Sequence, residues 1–463
     1  MPRRPSGRGA LSCTPHLPRV AEGVVPSTLA DTRFLRCPAL MERPGSRPLV
    51  IGAGVAGLAA CRELERAGQT PLLLEASDRV GGRLRTEVVD GWPLDHGFQV
   101  LLTAYPAVQR MLDLDALELR FFDPGALVRK GGHWKLLGDP RRHPADLWPT
   151  LRSGIGTWGD RIRVLRLAAE VRRGPVERCF AVPAETTAAY LHRLGFTAGF
   201  VRDFFQPFYA GIFLEPDLAT SARMFRFSFR MFAEGKVGVP RAGIAALPRQ
   251  MAAALARTEI RLNTAVRSVD PREAVLADGT RLPHAGCVLA TPTPAGPATH
   301  PPQSSAAATG WNRCLNYYFR ARSDAAGPAR PLVRLLPGEG RICNLHRMDD
   351  LFGGEGGDGG ESLWSVTALP AADDPSDPDA LEETVRAELR ARAGLATSAC
   401  LRAFAVPHAL PRRADLRYQP DPADLLLAPG LARAGDALAH PSLNAALDSG
   451  HLAAQSLLQH PQG

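Results

Sequence analysis

The sequence predicts an α/β fold in which a parallel sheet with a Rossmann-like βαβ unit is interleaved with a second, α+β domain. The first observation is a short apolar strand, a glycine-rich turn, a helical stretch and a second apolar strand over residues 49–75. The second is a strand, loop and helix pattern at 431–458, near the other end of the chain. The third is length, because 463 residues are enough for two intertwined domains with sizeable cores.

The turn Gly-Ala-Gly-Val-Ala-Gly at 52–57 has the spacing of a dinucleotide-binding loop. The first glycine allows a tight turn, the second lets a pyrophosphate approach the backbone, and the third lets the helix pack closely on the strand. The helix N-terminus then offers N–H groups and a positive dipole end to the phosphates. Glu75, 23 residues after the first glycine, is near the spacing expected for a carboxylate that holds a ribose diol. The turn residues expected to contact the cofactor are Gly52, Gly54, Val55, Ala56 and Gly57.

The residues after the second strand favour FAD over other dinucleotides. We expect the chain to turn back towards the phosphates here, because paired glycines permit close backbone approach and an arginine can supply a charge-assisted contact to a phosphate oxygen. NAD-binding folds do not need this second approach. The residues concerned are Ala76, Gly81, Gly82 and Arg83.

Composition argues against several classes of protein. The net charge of +8 comes almost wholly from arginine, since lysine occurs only at 130, 135 and 236. Because no base-stacking motif accompanies that charge, we expect no nucleic-acid partner. The eight scattered cysteines form no metal-binding spacing and the twelve histidines no HxH or HExxH pattern, so no metal site is expected. No apolar run reaches the roughly 18 residues needed to span a bilayer.

Residues 75–83, EASDRVGGR, resemble the flavin amine oxidase, protoporphyrinogen oxidase and carotenoid (phytoene) desaturase superfamily, whose dinucleotide fingerprint is followed by E-(A)-x-x-R-x-G-G-R. Residues 431–458 are similar to the family's A/C-G-D-x(4)-P-S-I-N-G-A pattern, and residues 263–266 to its N-T-x-V step. The resemblance implies a glutathione-reductase-type FAD-binding domain. It also implies cofactor contacts at Gly97, Val266, Gly435, Asp436, Asn444 and Ala445.

The resemblance assigns roles to some of these residues. The backbone of Val266 would contact adenine, and Asp436 the ribityl or pyrophosphate portion of FAD. The last helix would point its N-terminus at the flavin, where its dipole stabilises negative charge on the reduced ring. Ala445 replaces the usual glycine there. His96 stands where the family often has a second glycine, and is either close to the isoalloxazine or a structural histidine.

The family resemblance and the local composition divide the chain into segments. Residues 1–47, rich in arginine and proline, are expected to be disordered, either as an organelle transit peptide or, as we prefer, an upstream extension before a true start at Met41. The FAD-binding domain is expected over 48–100, 236–295 and 404–460, and the substrate-binding domain over 101–235 and 296–403. We expect a cytoplasmic protein that either associates with a membrane or does not. Import into an organelle is a further alternative if residues 1–40 are part of the translated protein.

Three stretches of the expected substrate domain are informative. Residues 127–136 predict a β-hairpin that turns at Gly131-Gly132. Residues 202–232 hold nine Phe or Tyr, which either wall a tunnel for an apolar substrate or form ordinary core. Residues 160–173 predict a basic amphipathic helix, which either touches an anionic membrane surface or presents a solvated charged face.

The implied function is that of a FAD-dependent oxidoreductase removing hydride from a largely apolar small molecule, isoprenoid-, polycycle- or tetrapyrrole-like, to flavin N5. No lysine follows Lys236 to match the lysine that bridges to N5 in polyamine and monoamine oxidases. No cysteine stands just before Gly435 for covalent attachment, so FAD is expected to be non-covalent. The alternatives are an amine oxidase lacking the lysine bridge and a non-catalytic FAD-binding module. No catalytic residue is identified, and the electron acceptor and oligomeric state stay open.

Overall fold

The structure, a computed structural model, describes residues 47–292, 310–322, 327–353, 360–375 and 377–461. The predictions for residues 1–46, a disordered leader or a misassigned start, lie outside the described residues. In chain order the strands are β1 (Leu49–Ile51), β2 (Leu72–Leu74), β3 (Thr86–Val89), β4 (Trp92–Asp95), β5 (Leu101–Leu102), β6 (Arg120–Phe121), β7 (Gly125–Lys130), β8 (His133–Gly138), β9 (Val237–Val239), β10 (Glu259–Arg261), β11 (Val266–Val269), β12 (Glu273–Leu276), β13 (Arg281–Pro283), β14 (Cys287–Leu289), β15 (Gly310–Arg322), β16 (Val333–Leu335), β17 (Ile342–Arg347), β18 (Glu361–Ala368), β19 (Thr397–Arg412), β20 (Leu426–Ala428) and β21 (Leu431–Arg433).

The helices alternate with these strands. They are α1 (Val55–Arg66), α2 (Pro106–Met111), α3 (Leu147–Arg152), α4 (Trp158–Val171), α5 (Thr187–Arg193), α6 (Ala198–Phe200), α7 (Gln206–Phe213), α8 (Ala222–Glu234), α9 (Ala246–Ala253), α10 (Asp349–Phe352), α11 (Glu382–Glu388), α12 (Pro422–Leu425) and α13 (Leu443–Gln459). A π-helical segment, Val201–Phe205, joins α6 to α7 in one helical run.

A six-stranded sheet has the order β10-β2-β1-β14-β21-β20. Its first five strands run parallel, and β20 is antiparallel to β21. Leu49 pairs with Leu72 on one side and with Cys287 on the other. The strands β1 and β14 are short, wholly apolar and fully buried, as is usual for parallel strands with both faces covered. The predicted α/β class with a parallel sheet is confirmed.

The first and the last described helices pack against each other beside this sheet. Gly450 of α13 lies so close to α1 that a Cβ there would be 2.0 Å from the carbonyl oxygen of Ala56. Only a residue without a side chain allows this approach. The two distant segments that the sequence linked to one cofactor are therefore neighbours in the fold.

A seven-stranded mixed sheet has the order β19-β15-β18-β17-β16-β7-β8. The predicted hairpin is present as β7 and β8, and its turn residues Gly131 and Gly132 have φ of +57° and +75°, the positive values that a type I′ turn requires. Strand β19 pairs with β15 from Arg412 back to Thr397. The domain boundary expected at residue 404 therefore falls inside one continuous strand of this sheet, because the pairing does not stop there.

Candidate functional site

A large cavity lies at the carboxyl ends of the parallel strands β1, β14 and β21. The residues that line it, its wall, include Gly54 after β1, Thr291 after β14 and Gly435 after β21. Ligands of open α/β sheets bind in this crevice. The cavity volume is about 1720 Å³, above the roughly 300–1,000 Å³ typical of a site for one small ligand. The cavity therefore has room for a cofactor and a substrate side by side.

The glycines of the first turn have separate geometric roles. Gly52 has a φ of +99°, which residues with a side chain rarely adopt. A Cβ at Gly57 would lie 1.9 Å from the carbonyl oxygen of Gly52, whereas a Cβ at Gly54 would meet nothing within 4 Å. Gly54 is the N-cap of α1, and no side chain caps the helix there. The open space at Gly54 and the first N–H groups of α1 thus form a place for a phosphate at the cavity.

The Glu75 carboxylate lies beside this turn. Its Oε2 accepts a hydrogen bond of 2.7 Å from the Ala53 N–H, and its Oε1 accepts two, of 2.9 and 2.8 Å, from the N–H and hydroxyl of Ser77. These bonds orient the carboxylate and leave acceptor capacity on Oε2. Ala76 is exposed, and Val266 is half-buried at the start of β11.

The chain after β2 returns to the same turn. The Gly81 N–H donates to the carbonyl oxygen of Ala53 at 2.8 Å, and a Cβ at Gly82 would lie 3.4 Å from Gly54 Cα. Gly81 and Gly82 have φ of +120° and +56°. A side chain at Gly81 would also meet the Leu84 carbonyl oxygen at 2.7 Å. The paired glycines let this segment lie directly against the first turn.

Arg83 joins the first and the last motifs. Its guanidinium donates to both carboxylate oxygens of Asp436, at 2.5 and 3.0 Å, and to the carbonyl oxygen of Ala409 at 3.0 Å. It also lies over the Trp311 ring, 5.5 Å from the centroid, in a cation–π contact. Burial on its own would lower the pKa of Arg83, but the charge and hydrogen bonds of Asp436 raise it. A charged guanidinium is therefore fixed on the cavity wall.

The predicted residues of the last motif differ in position. Gly435 has a φ of +147° and lies on the wall. Asn444 is fully buried instead, where its Oδ1 accepts from the Ala107 N–H at 2.9 Å and its Nδ2 donates to Asp448 at 3.0 Å. Ala445 is also fully buried. Asn444 and Ala445 therefore anchor the start of α13 and do not border the cavity.

Seven of the predicted cofactor residues line the cavity, namely Gly54, Val55, Ala56, Gly81, Arg83, Gly435 and Asp436. The others do not border it, namely Gly52, Gly57, Glu75, Ala76, Gly82, Gly97, Val266, Asn444 and Ala445. Gly97 has a φ of +93°, and a Cβ there would contact Val406 at 3.7 Å. Its neighbours Phe98 and Gln99 border the cavity in its place.

The predicted cofactor residues do not include several wall residues. Residues 289–292 form the end of the apolar strand β14 and the turn after it, and residues 441–443 lie at the start of α13. The sequence does indicate that 287–292 is a strand running towards the cofactor, in line with the rule that parallel strands end at the binding crevice. Trp311 and Leu410 also line the cavity, but they come from β15 and β19 of the other sheet, and no local pattern marks them.

Aromatic side chains form much of the other half of the cavity. The helical run from α6 to α7 contributes Phe204 and Phe208, and α8 contributes Phe232. The ring centroids of Phe208 lie 5.5 Å from those of both Phe204 and Phe232, a usual aromatic packing distance. Phe227, on α8 as well, is buried in the core. Residues 202–232 therefore form part of the cavity wall on one side and part of the core on the other.

The carboxylates on the wall are paired with arginines. The pairs, with their N–O distances, are Asp123–Arg330 (2.7 Å), Asp139–Arg141 (2.8 Å), Glu234–Arg230 (2.9 Å) and Asp436–Arg83 (2.5 Å). Among the wall residues in the described ranges, no carboxylate is left to balance a positive charge on a ligand.

Asn344 places a neutral polar group on the same wall. Its side chain is buried on β17, and Oδ1 has no hydrogen-bond partner among the described residues. A Cβ at Gly211 would lie 2.0 Å from Asn344 Nδ2, so the carboxamide occupies space that only glycine leaves open. The carboxamide is therefore a fixed polar group at the cavity whose buried acceptor is unsatisfied among the described residues.

Of the two roles considered for His96, near the isoalloxazine or structural, its contacts are those of a structural histidine. Its Nε2 lies 2.9 Å from Glu87 Oε1, and its ring stacks on Phe404 with the centroids 3.9 Å apart. It does not border the cavity. Elsewhere in the described ranges, no group of His, Cys, Asp and Glu side chains is arranged to hold a metal ion. Within these ranges no helix is long and apolar enough to cross a membrane.

A family model of flavin-containing amine oxidoreductases matches residues 55–458. That span begins in the first glycine turn and ends in α13, so it includes both motifs that Arg83 and Asp436 connect. The chain belongs to the flavin-containing amine oxidoreductase family. Membership implies an oxidoreductase with a flavin cofactor, and the cavity is the candidate site for it.

Curated relatives of this family member match short stretches of it. Protoporphyrinogen oxidase 2 of Arabidopsis thaliana is 42% identical over 69 residues, 15% of this chain and 14% of that protein. The 15-cis-phytoene desaturase of Narcissus pseudonarcissus is 32% identical over 129 residues, 26% and 23% of the two chains. Putrescine oxidase of Kocuria rosea is 46% identical over 71 residues, 15% and 14%. Each match spans less than a quarter of the relative's length.

Solved structures resemble the whole described fold. An oxidoreductase from Methanosarcina mazei has a TM-score of 0.63 at 14% identity, covering 89% of this chain and 100% of that one. A fatty acid isomerase from P. acnes has a TM-score of 0.64 at 14% identity, covering 89% and 98%. These likenesses support the mixed α/β fold of the family member described here.

Proposed function

We propose that this oxidoreductase binds FAD non-covalently and removes a hydride from a largely apolar, isoprenoid-, polycycle- or tetrapyrrole-like substrate. The observation that carries the proposal is that one cavity has a half formed by backbone turns and the Arg83–Asp436 pair, and a half in which aromatic side chains are concentrated. FAD, when bound, supplies a ring whose N5 accepts hydride. The chain's own residues have to place the substrate and keep water away from it.

The cofactor half fits FAD. The space at Gly54 and the N-terminus of α1 suit the pyrophosphate. Glu75, held against the same turn, suits the ribose diol, and Arg83 adds a positive charge on the wall. The cavity wall, as far as the described ranges form it, contains no cysteine to make a covalent link, which supports a non-covalent cofactor.

The aromatic half fits an apolar substrate. Rings such as Phe204, Phe208 and Phe232 offer flat apolar surfaces to a ligand in the cavity. An ammonium group entering this space would lose its hydration and find the wall carboxylates already paired with arginine, which is unfavourable. The arrangement therefore favours oxidation of a C–H bond in an apolar molecule over the amine oxidase alternative.

Asn344 is the polar contact that we assign to the substrate. A buried acceptor without a partner costs about 1–3 kcal/mol, and a ligand hydroxyl that donates to Asn344 Oδ1 would recover part of it. One such bond beside the aromatic side chains would fix which way an elongated molecule lies. We therefore expect the substrate to carry a hydroxyl group at one end.

The cofactor proposal is tested on the purified protein. The protein is expected to be yellow and to release FAD on heating or acid treatment. Protein that stays colourless after reconstitution with FAD would exclude FAD as the cofactor. Flavin that remains on the denatured chain would exclude the non-covalent mode.

The substrate proposal is tested by anaerobic reduction of the bound FAD. A carotenoid, a porphyrinogen and a set of primary and secondary amines are offered in turn, and the loss of yellow absorbance is followed. Bleaching by an apolar donor and not by amines is expected. Bleaching by amines alone would favour the amine oxidase lacking a lysine bridge, and no bleaching with any donor would favour the non-catalytic module. Hydrogen peroxide released in air identifies oxygen as the acceptor.

A further inference from the structure

An exposed apolar surface lies on α3 and α4. Five of the eight exposed large hydrophobic side chains in the described ranges belong to these two helices, namely Leu147, Trp148, Trp158, Ile162 and Leu165. Trp148 and Trp158 are 64% and 65% exposed. A cluster of this kind on a folded chain marks an interaction site. These five residues are called the α3–α4 face below.

Helix α4 has apolar side chains on two sides. The helix packs on the core through its inner side, at Leu167, Ala168 and Val171. Trp158, Ile162 and Leu165 follow the spacing i, i+4 and i+7, so they form a second stripe. The side chains of this second stripe are exposed.

The α3–α4 face borders the cavity at a part of the wall whose side chains are exposed, and this part is called the cavity entrance below. Leu147, Trp158 and Leu165 belong both to this face and to the cavity wall. Arg161 of α4 donates to the carbonyl oxygen of Thr150 in α3 at 3.0 Å, which ties the two helices together. A molecule that passes through this entrance moves between exposed apolar side chains.

Positive charge surrounds the same surface. Residues 139–173 contain eight arginines and four acidic residues. Each acidic residue is buried or paired with an arginine, namely Asp139, Asp146, Asp160 and Glu170. Arg152 lies over the Trp148 ring, 5.6 Å from its centroid. The surface thus combines tryptophan, aliphatic side chains and uncompensated arginine charge.

We propose that the α3–α4 face docks on a membrane surface that contains anionic lipids. Tryptophan rings favour the headgroup level of a bilayer, and aliphatic side chains on one helix side insert into the acyl boundary. Arginines beside them, such as Arg152 and Arg166, meet the negative surface potential. A second copy of this chain is a poorer occupant, because a two-fold contact would set these arginines against themselves.

Docking in this way places the cavity entrance at the lipid. An apolar substrate dissolved in the bilayer would then reach the aromatic half of the cavity without crossing water. This consequence rests on the proposed function, because it supposes an apolar substrate. The docking itself does not.

The test is flotation of the purified, FAD-loaded protein with phosphatidylcholine vesicles made with and without phosphatidylserine. Binding to the phosphatidylserine vesicles is expected, with weaker binding at high salt. Trp148→Ser combined with Ile162→Ser is expected to abolish it; neither residue lines the cavity. Arg152→Gln and Arg166→Gln are each expected to weaken partition onto the phosphatidylserine vesicles about fivefold. On vesicles of phosphatidylcholine alone, each is expected to change partition little.

The matched control is Val88→Ser, which removes an even more exposed apolar side chain from β3 and is expected to bind like the parent. Melting temperatures of all variants check that they fold. No binding of the parent to phosphatidylserine vesicles at low salt, or binding that the double substitution leaves intact, would overturn the proposal. So would a dimer that the double substitution dissociates without any vesicle binding, which would identify a second copy as the occupant. Since no substrate is present, failure of the substrate proposal leaves this result unaffected.

Discussion

The two halves of the cavity are formed by different parts of the polypeptide, backbone turns in one and aromatic side chains in the other. The cofactor half consists of turns whose glycines adopt positive φ and whose backbones touch, closed by the Arg83–Asp436 pair. The substrate half consists of side chains carried on α7 and α8, such as Phe208 and Phe232. Backbone geometry tolerates few residue types, whereas an apolar wall tolerates many. Substitutions should therefore remove the cofactor in one half and alter substrate affinity in the other.

The largest effect is expected for Gly57→Ala. The new Cβ would lie 1.9 Å from the Gly52 carbonyl oxygen, a backbone atom, so the free energy of unfolding should fall by about 3 kcal/mol or more. Gly54→Ala is the matched control, because a Cβ there meets nothing within 4 Å. It should leave the unfolding free energy within about 0.5 kcal/mol and reduce FAD retention. Urea unfolding of the apo forms and flavin content give both values, and equal unfolding effects would contradict the assigned roles.

The next effect is expected for Arg83→Met. The substitution leaves the buried Asp436 carboxylate without its partner, and because the arginine is partly exposed we expect a loss of about 2–3 kcal/mol in unfolding free energy. Bound FAD should also dissociate. Adding Asp436→Asn should restore the melting temperature but not the affinity for FAD. If the double variant regains FAD affinity, Arg83 acts only as a structural partner of Asp436.

In the substrate half, Phe208→Ala should raise KM for an apolar donor and leave flavin content unchanged. Loss of the apolar surface that the ring offers to a bound substrate corresponds to about 1.5–3 kcal/mol of binding free energy, or roughly 10- to 100-fold in KM. Phe208→Leu keeps much of the apolar area and should show a smaller rise. Loss of flavin from either variant would mean that the two halves are not separable.

The smallest effect is expected for Asn344→Leu. It removes a buried acceptor that lacks a partner, so the free energy of unfolding should stay the same or rise. Loss of one hydrogen bond weakens binding by about 0.5–1.5 kcal/mol, so KM for a hydroxylated donor should rise roughly 2- to 10-fold. KM for the matching hydrocarbon should not rise. Equal KM changes for both donors would remove Asn344 from substrate recognition.

Much of the cofactor half was predictable because its parts are local. Gly52, Gly54 and Gly57 belong to one turn, and the return at Gly81–Gly82 follows within one supersecondary unit. Such turns depend on backbone conformations that few residues adopt, so the residue types themselves report the geometry.

The remainder depends on packing between distant segments. Asn444 matches a cofactor motif, but its carboxamide bonds the Ala107 backbone, which no local pattern reveals. Trp311 reaches the wall only because β15 pairs with β19 across about a hundred residues. Phe204 and Phe205 are adjacent in the sequence, but Phe205 is the more buried of the two. It packs against Phe225 of the neighbouring helix α8, which no local pattern reveals.

The contact of Gly450 with Ala56 has a consequence for synthesis of the protein. Translation proceeds from the first turn towards α13, so the helix that supports that turn is made long after it. A ribosome-bound chain that stops short of α13 lacks the packing at Ala56 and the wall residues Leu443 and Ala446. Tight capture of a flavin should therefore require that α13 has left the ribosome, and nascent fragments without α13 should hold none.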